Sequence, residues 1–187
     1  MTVILIGGTS HAGKSSLAAR IAGKRGWTQQ STDMLARHPG RPWPEPRPEI
    51  AEFYSQLSPD TAHWLLLAHH ENMRPMIGRV IGDARSRGRN LVLEGSALRP
   101  EYMADWATET VHCLFLHAEP DHIAERIYAN SRYHEQAGSQ RALIDAFITR
   151  SLIDNNAGLE SARKHGIRVV SVTTDVAATE LLAGLAP

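Results

Sequence analysis

Apolar and polar positions fall along this chain in blocks with a recurring punctuation. Three times a helix-like stretch closes on basic residues, a glycine follows, and a short apolar run begins. This occurs at Lys24-Arg25-Gly26, at Arg85-Ser86-Arg87-Gly88 and at Arg163-Lys164-His165-Gly166. Cations in a last turn complement the helix dipole, and glycine takes the left-handed conformation that stops a helix. The apolar runs that follow are continuous rather than alternating, which is the pattern of strands buried on both faces. Strands are predicted over residues 2–6, 28–32, 90–94, 111–116 and 167–172, the second being the most polar (Thr28, Gln29, Gln30, Ser31). Helices are predicted over 14–24, 61–87, 120–129, 140–164 and 176–185. In the second, Leu66, Met73, Ile77, Val80 and Ala84 share one face and Pro75 is expected to kink it. In the fourth, Ile144, Phe147, Ile148 and Leu152 form the apolar stripe, while Arg141/Asp145 and Arg150/Asp154 read as exposed i,i+4 pairs. Strands alternating with helices predict an α/β fold with a parallel sheet.

Two segments interrupt this rhythm. Five of the ten prolines lie in the stretch His38-Pro39-Gly40-Arg41-Pro42-Trp43-Pro44-Glu45-Pro46-Arg47-Pro48, which excludes a helix or a central strand there. The other, residues 131–139, is polar, contains Gly138 and separates two helices.

Composition narrows the class. With 187 residues, 42% apolar and 21% charged, one compact domain can bury roughly 70% of the surface its unfolded chain exposes. No repeat or composition shift marks a second domain, so residues 1–187 are read as one. Twenty basic and twenty acidic residues give a formal net charge of zero, which argues against nucleic acid or an anionic membrane as the partner. Cys113 is the only cysteine and cannot pair within the chain, as expected of a reducing compartment. No apolar run approaches the ~20 residues of a bilayer span, and the run 3–6 is too short for a signal peptide. The expectation is a cytoplasmic protein.

The chemistry is concentrated where the first strand runs into Gly8-Thr9-Ser10-His11-Ala12-Gly13-Lys14-Ser15, which matches G-x-x-x-x-G-K-[ST]. Glycines let successive backbone N–H groups converge on phosphate oxygens, and the helix that follows presents its positive end. Lys14 supplies a point charge to the β- and γ-phosphates, and Ser15 offers a hydroxyl to Mg²⁺. With Ser16 in the first turn, these residues are the candidate nucleotide site; His11 within the loop is expected to be exposed. A glycine turn with an ordinary lysine is the alternative. An apolar strand before the motif and an amphipathic helix after it (Leu17, Ala18, Ile21) favour the nucleotide reading. A guanine-reading Asn-Lys-x-Asp is absent, and the strand ending in Glu94 carries one acid rather than the Asp-Glu of motor ATPases.

Residues 7–16, Ser31-Thr32-Asp33, Leu93-Glu94-Gly95 with Leu98-Arg99-Pro100, and Phe147-Ile148-Thr149-Arg150 together resemble the nucleoside-monophosphate-kinase-like branch of P-loop kinases. That branch includes gluconate and shikimate kinases and chloramphenicol phosphotransferase, and the chain is most similar to 2-phosphoglycerate-kinase-like proteins. The resemblance implies a three-layer fold: a five-stranded parallel sheet of order 2-3-1-4-5, helices on both faces and a small lid. It implies ATP and Mg²⁺ as cofactors and a small-molecule hydroxyl as phosphoryl acceptor. Residues 33–75 would then form the acceptor region and 131–139 the lid.

On that resemblance Asp33 would orient or deprotonate the acceptor, the alternative being an N-cap for a short helix starting at Met34. Glu94, ending a strand, would hold a Mg²⁺-bound water or the acceptor. Arg126 and Arg132, with Arg141 a weaker candidate, would close over the transferring phosphate. Arg37 and Arg99 would clamp an anionic acceptor. The basic run from Arg85 to Arg89 reads as a helix end rather than a nucleic-acid patch. Ten histidines show no zinc spacing. Trp43, Trp64 and Trp106 would pack or cover a pocket. The leading function is transfer of the γ-phosphoryl group to a small metabolite or natural product. A nucleotide or polynucleotide 5′-end kinase and a nucleotide-binding switch without turnover are the alternatives.

Overall fold

A computed structural model describes residues 1–38 and 40–171. Five strands alternate with helices: β1 (Val3–Gly8), α1 (Lys14–Arg25), β2 (Thr28–Ser31), α2 (Pro48–Gln56), α3 (Pro59–Ser86), β3 (Leu91–Glu94), α4 (Pro100–Trp106), β4 (Val111–His117), α5 (Pro120–Ser131), α6 (Gly138–Lys164) and β5 (Arg168–Ser171). The sheet is parallel with order β2-β3-β1-β4-β5. It is the three-layer α/β fold of P-loop kinases. The helix predicted over 176–185 lies outside the described residues, as does Val172.

β1 is central because it is apolar on both sides. Val3, Ile4, Leu5 and Ile6 are fully buried, each side chain contributing roughly 1.5–3 kcal/mol. Val3 and Leu5 pack with Met73, Ile77 and Ile81 of α3, Met103 of α4 and Ala162 of α6. Ile4 and Ile6 face the opposite side and pack with Leu17, Ala18 and Ile21 of α1. The polar β2 is an edge strand, which explains how Thr28 and Gln29 sit exposed in a sheet. A third cluster, built from Trp43, Ile50, Tyr54, Ile123, Ile127, Ile144 and Phe147, joins the proline-rich segment and α2 to α5 and α6.

Several expectations are corrected. α2 and α4 were not predicted; each is short and begins at a proline, whose fixed φ suits the first helical turn. α3 starts at Pro59, capped by the Ser58 hydroxyl, and passes Pro75 without ending. α5 extends to Ser131 and α6 starts at Gly138, so the polar insert shrinks to Arg132, one 3₁₀ turn (Tyr133–Glu135), Gln136 and Ala137. Arg150 and Asp154 are buried, not an exposed pair. Arg141 instead donates to the carbonyls of Gln136 and His134, while Asp145 accepts from the Tyr133 hydroxyl. Among the described residues no helix is long and apolar enough to cross a membrane.

Candidate active site

Between β1 and α1 the chain curls through residues 8–13 with a single internal backbone hydrogen bond, Ala12 N–H to the Thr9 carbonyl at 3.3 Å. Gly13 holds the left-handed conformation at the helix start (φ 92°), which favours glycine over any residue with a Cβ. No side chain caps α1 and no acidic residue lies in its first turn. The first-turn amides, which have no intrahelical acceptor, are therefore left for an anion. The Lys14 ammonium reaches back across the curl to the Thr9 carbonyl at 2.7 Å. Burial lowers its pKa below the ordinary value, and Glu94, Asp33 and Asp154 oppose that shift. Thr9, fully buried, fastens the loop to α6 by donating to the Ser151 carbonyl at 3.2 Å.

The loop opens into a cavity of about 620 Å³ whose lining includes Ser10, His11, Gly13, Lys14, Ser15 and Ser16 on one side and Asp33 and Glu94 on another. The sheet register brings the two acids together: Ser31 at the end of β2 pairs with Glu94 at the end of β3. Just beyond them Gly95 (φ 154°) lies so close to Thr32 that a Cβ would come 1.7 Å from its Oγ1. Asp33 is not a helix cap. Ser31 caps the turn Thr32–Met34 by accepting from the Asp33 N–H, which leaves the Asp33 carboxylate on the cavity wall, 4.0 Å from His38 Nε2. Glu94 is 4% exposed. Among the described residues no group of three or more His, Cys, Asp or Glu is arranged to hold a metal ion. Ser15 and Glu94 fit a Mg²⁺ ion that draws most of its shell from phosphate and water.

Part of the remaining wall comes from the segment expected to face the acceptor: Phe53 and Tyr54 of α2, and Ala62, Leu66, His70 and Met73 of α3. His38, Gly40 and Arg41 of the proline-rich segment also contribute.

The predicted arginines separate. Arg126 lines the cavity and donates to the His11 carbonyl at 3.0 Å. Arg132 is in the left-handed region (φ 51°), three-quarters exposed, and faces only Glu135 at 3.9 Å, a surface pair of little energetic weight. Arg37 is exposed beside a shallow neighbouring groove rather than in the main cavity. Arg99 is corrected: it is buried, with its guanidinium 2.6 Å from Asp154 and 3.4 Å from Glu101, so it is committed to the core and does not line the cavity. Burial alone would lower its pKa, but Asp154 and Glu101 raise it. Glu101 in turn accepts from the Ser161 hydroxyl at 2.6 Å. This chain of contacts welds α3, α4 and α6 beneath the phosphate loop, with His63 Nε2 also 3.4 Å from Asp154.

His11 is likewise not the exposed loop residue expected. Its ring lies 5.8 Å from that of Trp43 and 6.2 Å from Phe147, and burial, followed by Arg41, lowers its pKa to about 4. Asn130 Oδ1 accepts from Trp43 Nε1 and from Arg41, each at 3.2 Å, and lies 3.5 Å from His11 Nε2. One amide at the end of α5 therefore joins the proline-rich segment to the phosphate loop. Trp64 stands in solvent and Trp106 packs on the core.

Arg41, Tyr54 and His70 fall within the 33–75 region expected to face the acceptor but were not singled out, whereas Ser96, Asn130 and Arg150 line the cavity from outside it without having been assigned to the site. For Arg150 a signal existed. Phe147, Arg150/Ser151, Asp154, Gly158 and Ala162 follow helical spacing, and all are buried. The buried stripe of α6 simply turns from apolar to polar and small.

No protein-family model matches the chain, and no curated protein matches it. Solved structures do match. A gluconokinase from Sinorhizobium meliloti 1021 is 23% identical, over 98% of this chain and 91% of that one, with a TM-score of 0.51. A sugar kinase from Janibacter sp. HTCC2649 is 16% identical, over 98% and 91%, with a TM-score of 0.58. A deoxyadenosine kinase from M. mycoides with bound dATP is 16% identical, over 99% of each chain, with a TM-score of 0.51. At these identities the likeness is one of fold, and the fold is that of P-loop kinases.

Proposed function

We propose that this protein is an ATP- and Mg²⁺-dependent phosphotransferase that moves the γ-phosphoryl group to a hydroxyl of a small metabolite or natural product. The observation that carries the reading is the meeting, in one cavity, of an uncapped phosphate loop bearing Lys14 with the carboxylates of Asp33 and Glu94. The uncapped amides and the Lys14 ammonium suit a polyphosphate. When bound, Mg²⁺ would neutralise developing charge on the transferring group, with Ser15 and, through water, Glu94 as its protein partners.

Asp33 takes the acceptor's proton as the hydroxyl oxygen bonds to the γ-phosphorus and the bond to the β,γ-bridging oxygen breaks, its electron pair leaving on ADP. Lys14 and Arg126 stabilise charge on the phosphoryl oxygens. α2 and α3 shape the acceptor site, and the turn after α5 serves as a lid that brings Arg132 inward. The names of structural neighbours, among them a gluconokinase and a sugar kinase, support a small hydroxylated acceptor. So does the resemblance to 2-phosphoglycerate-kinase-like and chloramphenicol-phosphotransferase-like kinases.

Incubation with ATP/Mg²⁺ and a panel of hydroxylated metabolites, read by mass spectrometry, should reveal one that gains a phosphate. Lys14→Ala should lower that rate by at least about 10²-fold with the fold retained. Equal turnover by the variant would overturn the proposal.

A further inference from the structure

Residues 40–43 of the proline-rich segment are fastened one after another. The Gly40 carbonyl accepts from the Tyr54 hydroxyl at 3.3 Å, the Pro42 carbonyl accepts from Gln140 Nε2, and Trp43 Nε1 donates to Asn130 Oδ1 at 3.2 Å. Trp43 is buried, its ring perpendicular to that of Phe147 with the centroids 4.9 Å apart. Arg41 lies between these anchors. Its side chain is exposed, donates to the same Asn130 oxygen at 3.2 Å, and places its guanidinium carbon 5.9 Å from the centre of the Trp43 ring. Both partners are neutral, and among the described residues no carboxylate is within ion-pair distance of Arg41. The guanidinium is therefore oriented without being neutralised, and most of its five donors are left over.

Its place decides what it meets. Arg41 lines the cavity together with Ser10, His11 and Lys14 of the phosphate loop. The Asn130 oxygen that orients it is 3.5 Å from His11 Nε2. Burial lowers the pKa values of His11 and Lys14, and the charge of Arg41 adds to both shifts, so the loop lies within its field. Arg41 also shares a neighbouring groove with Asp33, which puts it on the side of the loop proposed for the acceptor. In an in-line transfer the phosphate facing that side is the terminal one. We infer that Arg41, held out by the fastened proline-rich segment, binds the terminal phosphate of the nucleoside triphosphate, so that this segment distinguishes triphosphate from diphosphate. The assignment rests on the kinase reading and deepens it: a cation reaches the transferring group from the acceptor's side of the cavity, in addition to Lys14 and Arg126 of the loop's own surroundings.

Calorimetric titration of wild type, Arg41→Gln and Arg41→Lys with Mg²⁺·AMP-PNP and with Mg²⁺·ADP, with no acceptor present, tests this assignment. Salt is kept at physiological strength, where the general field of one exposed cation is largely screened. Arg41→Gln should bind AMP-PNP about tenfold or more weakly than wild type, the loss of a hydrogen bond between charged groups, while its ADP affinity stays within about twofold. Arg41→Lys, which keeps the charge but not the planar fork, should fall between the two. Without nucleotide both variants should melt with wild type, because Arg41 is exposed and its partners are neutral. AMP-PNP binding by Arg41→Gln equal to that of wild type would overturn the inference. So would an equal loss of AMP-PNP and ADP affinity, which would make Arg41 a support of the loop as a whole. So would melting of both variants well below wild type, which would make it a fastener of the segment. Failure of wild type to bind either nucleotide would instead remove the kinase reading on which this one stands.

Discussion

Asp154→Ala should be the most damaging single truncation beneath the phosphate loop. Asp154 is 1% exposed and Arg99 is 4% exposed, and their charged atoms are 2.6 Å apart. Burial would raise the Asp154 pKa, but His63 at 3.4 Å and the charges of Arg99 and Arg150 hold its carboxyl well below the usual carboxylate range. Removing one member of such a buried pair costs ~3–5 kcal/mol, because the other charge is stranded. Glu101, 3.4 Å from Arg99, compensates part of that, so the lower end, about 3 kcal/mol, is expected. For a chain of this length each kcal/mol shifts the melting temperature by roughly 2–4 °C. The expected fall is therefore about 6–12 °C, measurable by circular dichroism and as a lowered urea midpoint. The double variant Arg99→Met/Asp154→Leu should recover most of the loss, since no charge is then stranded. A loss below about 1 kcal/mol in Asp154→Ala, or a double variant as unstable as the single one, would refute this reasoning.

Further outcomes follow from the same contacts. Burial lowers the His70 pKa to about 3, with Asp154 opposing and Arg99, His69 and Arg150 adding to the shift. The folded protein thus keeps His70 neutral while the unfolded chain protonates below about pH 6.5. Its stabilising contribution is complete above that pH and is lost toward pH 3 at up to ~1.4 kcal/mol per unit. Urea midpoints at pH 7, 6 and 5 should fall less steeply in His70→Gln than in wild type; parallel curves would contradict the assignment. Gly95→Ala must accommodate a Cβ 1.7 Å from Thr32 Oγ1 at a φ of 154°, so it should lose ~1–3 kcal/mol and disturb the adjacent Glu94. A melting temperature equal to wild type would show that this approach relaxes freely. Asn130→Ala should change Trp43 emission and raise the apparent Kd for Mg²⁺·ATP, because Asn130 joins Trp43 and Arg41 to His11. Unchanged emission would mean that the contact is not formed in solution.

The architecture was largely legible because its signals are local. The apolar run 3–6, the glycine curl and the amphipathic turn after it dictate β1, the loop and α1 without reference to anything distant. The polar β2 was legible from its place in the alternation, and its polarity is explained by an edge position. What stayed hidden depends on tertiary partners. α2 and α4 are too short to show periodicity and open on prolines that read as breakers. The spacing of Arg150 and Asp154 puts both on one helical face but cannot say that this face is covered by α3. Arg99, at a helix start, looks in sequence like a candidate clamp; only the packing of α4 on α6 reveals Asp154 as its partner. The cavity wall drew residues from 38–73, where the proline-rich stretch and the short α2 show no periodicity in sequence and where the register of α3 against the cavity depends on packing.

The central claim is that the uncapped curl between β1 and α1 binds a nucleoside triphosphate through its amides and Lys14. Calorimetric titration of the wild-type protein with ATP in excess Mg²⁺ tests it most directly. Saturable binding of one equivalent, abolished in a folded Lys14→Ala variant, is the predicted result; no heat of association at saturating nucleotide, or equal binding by both proteins, would contradict it.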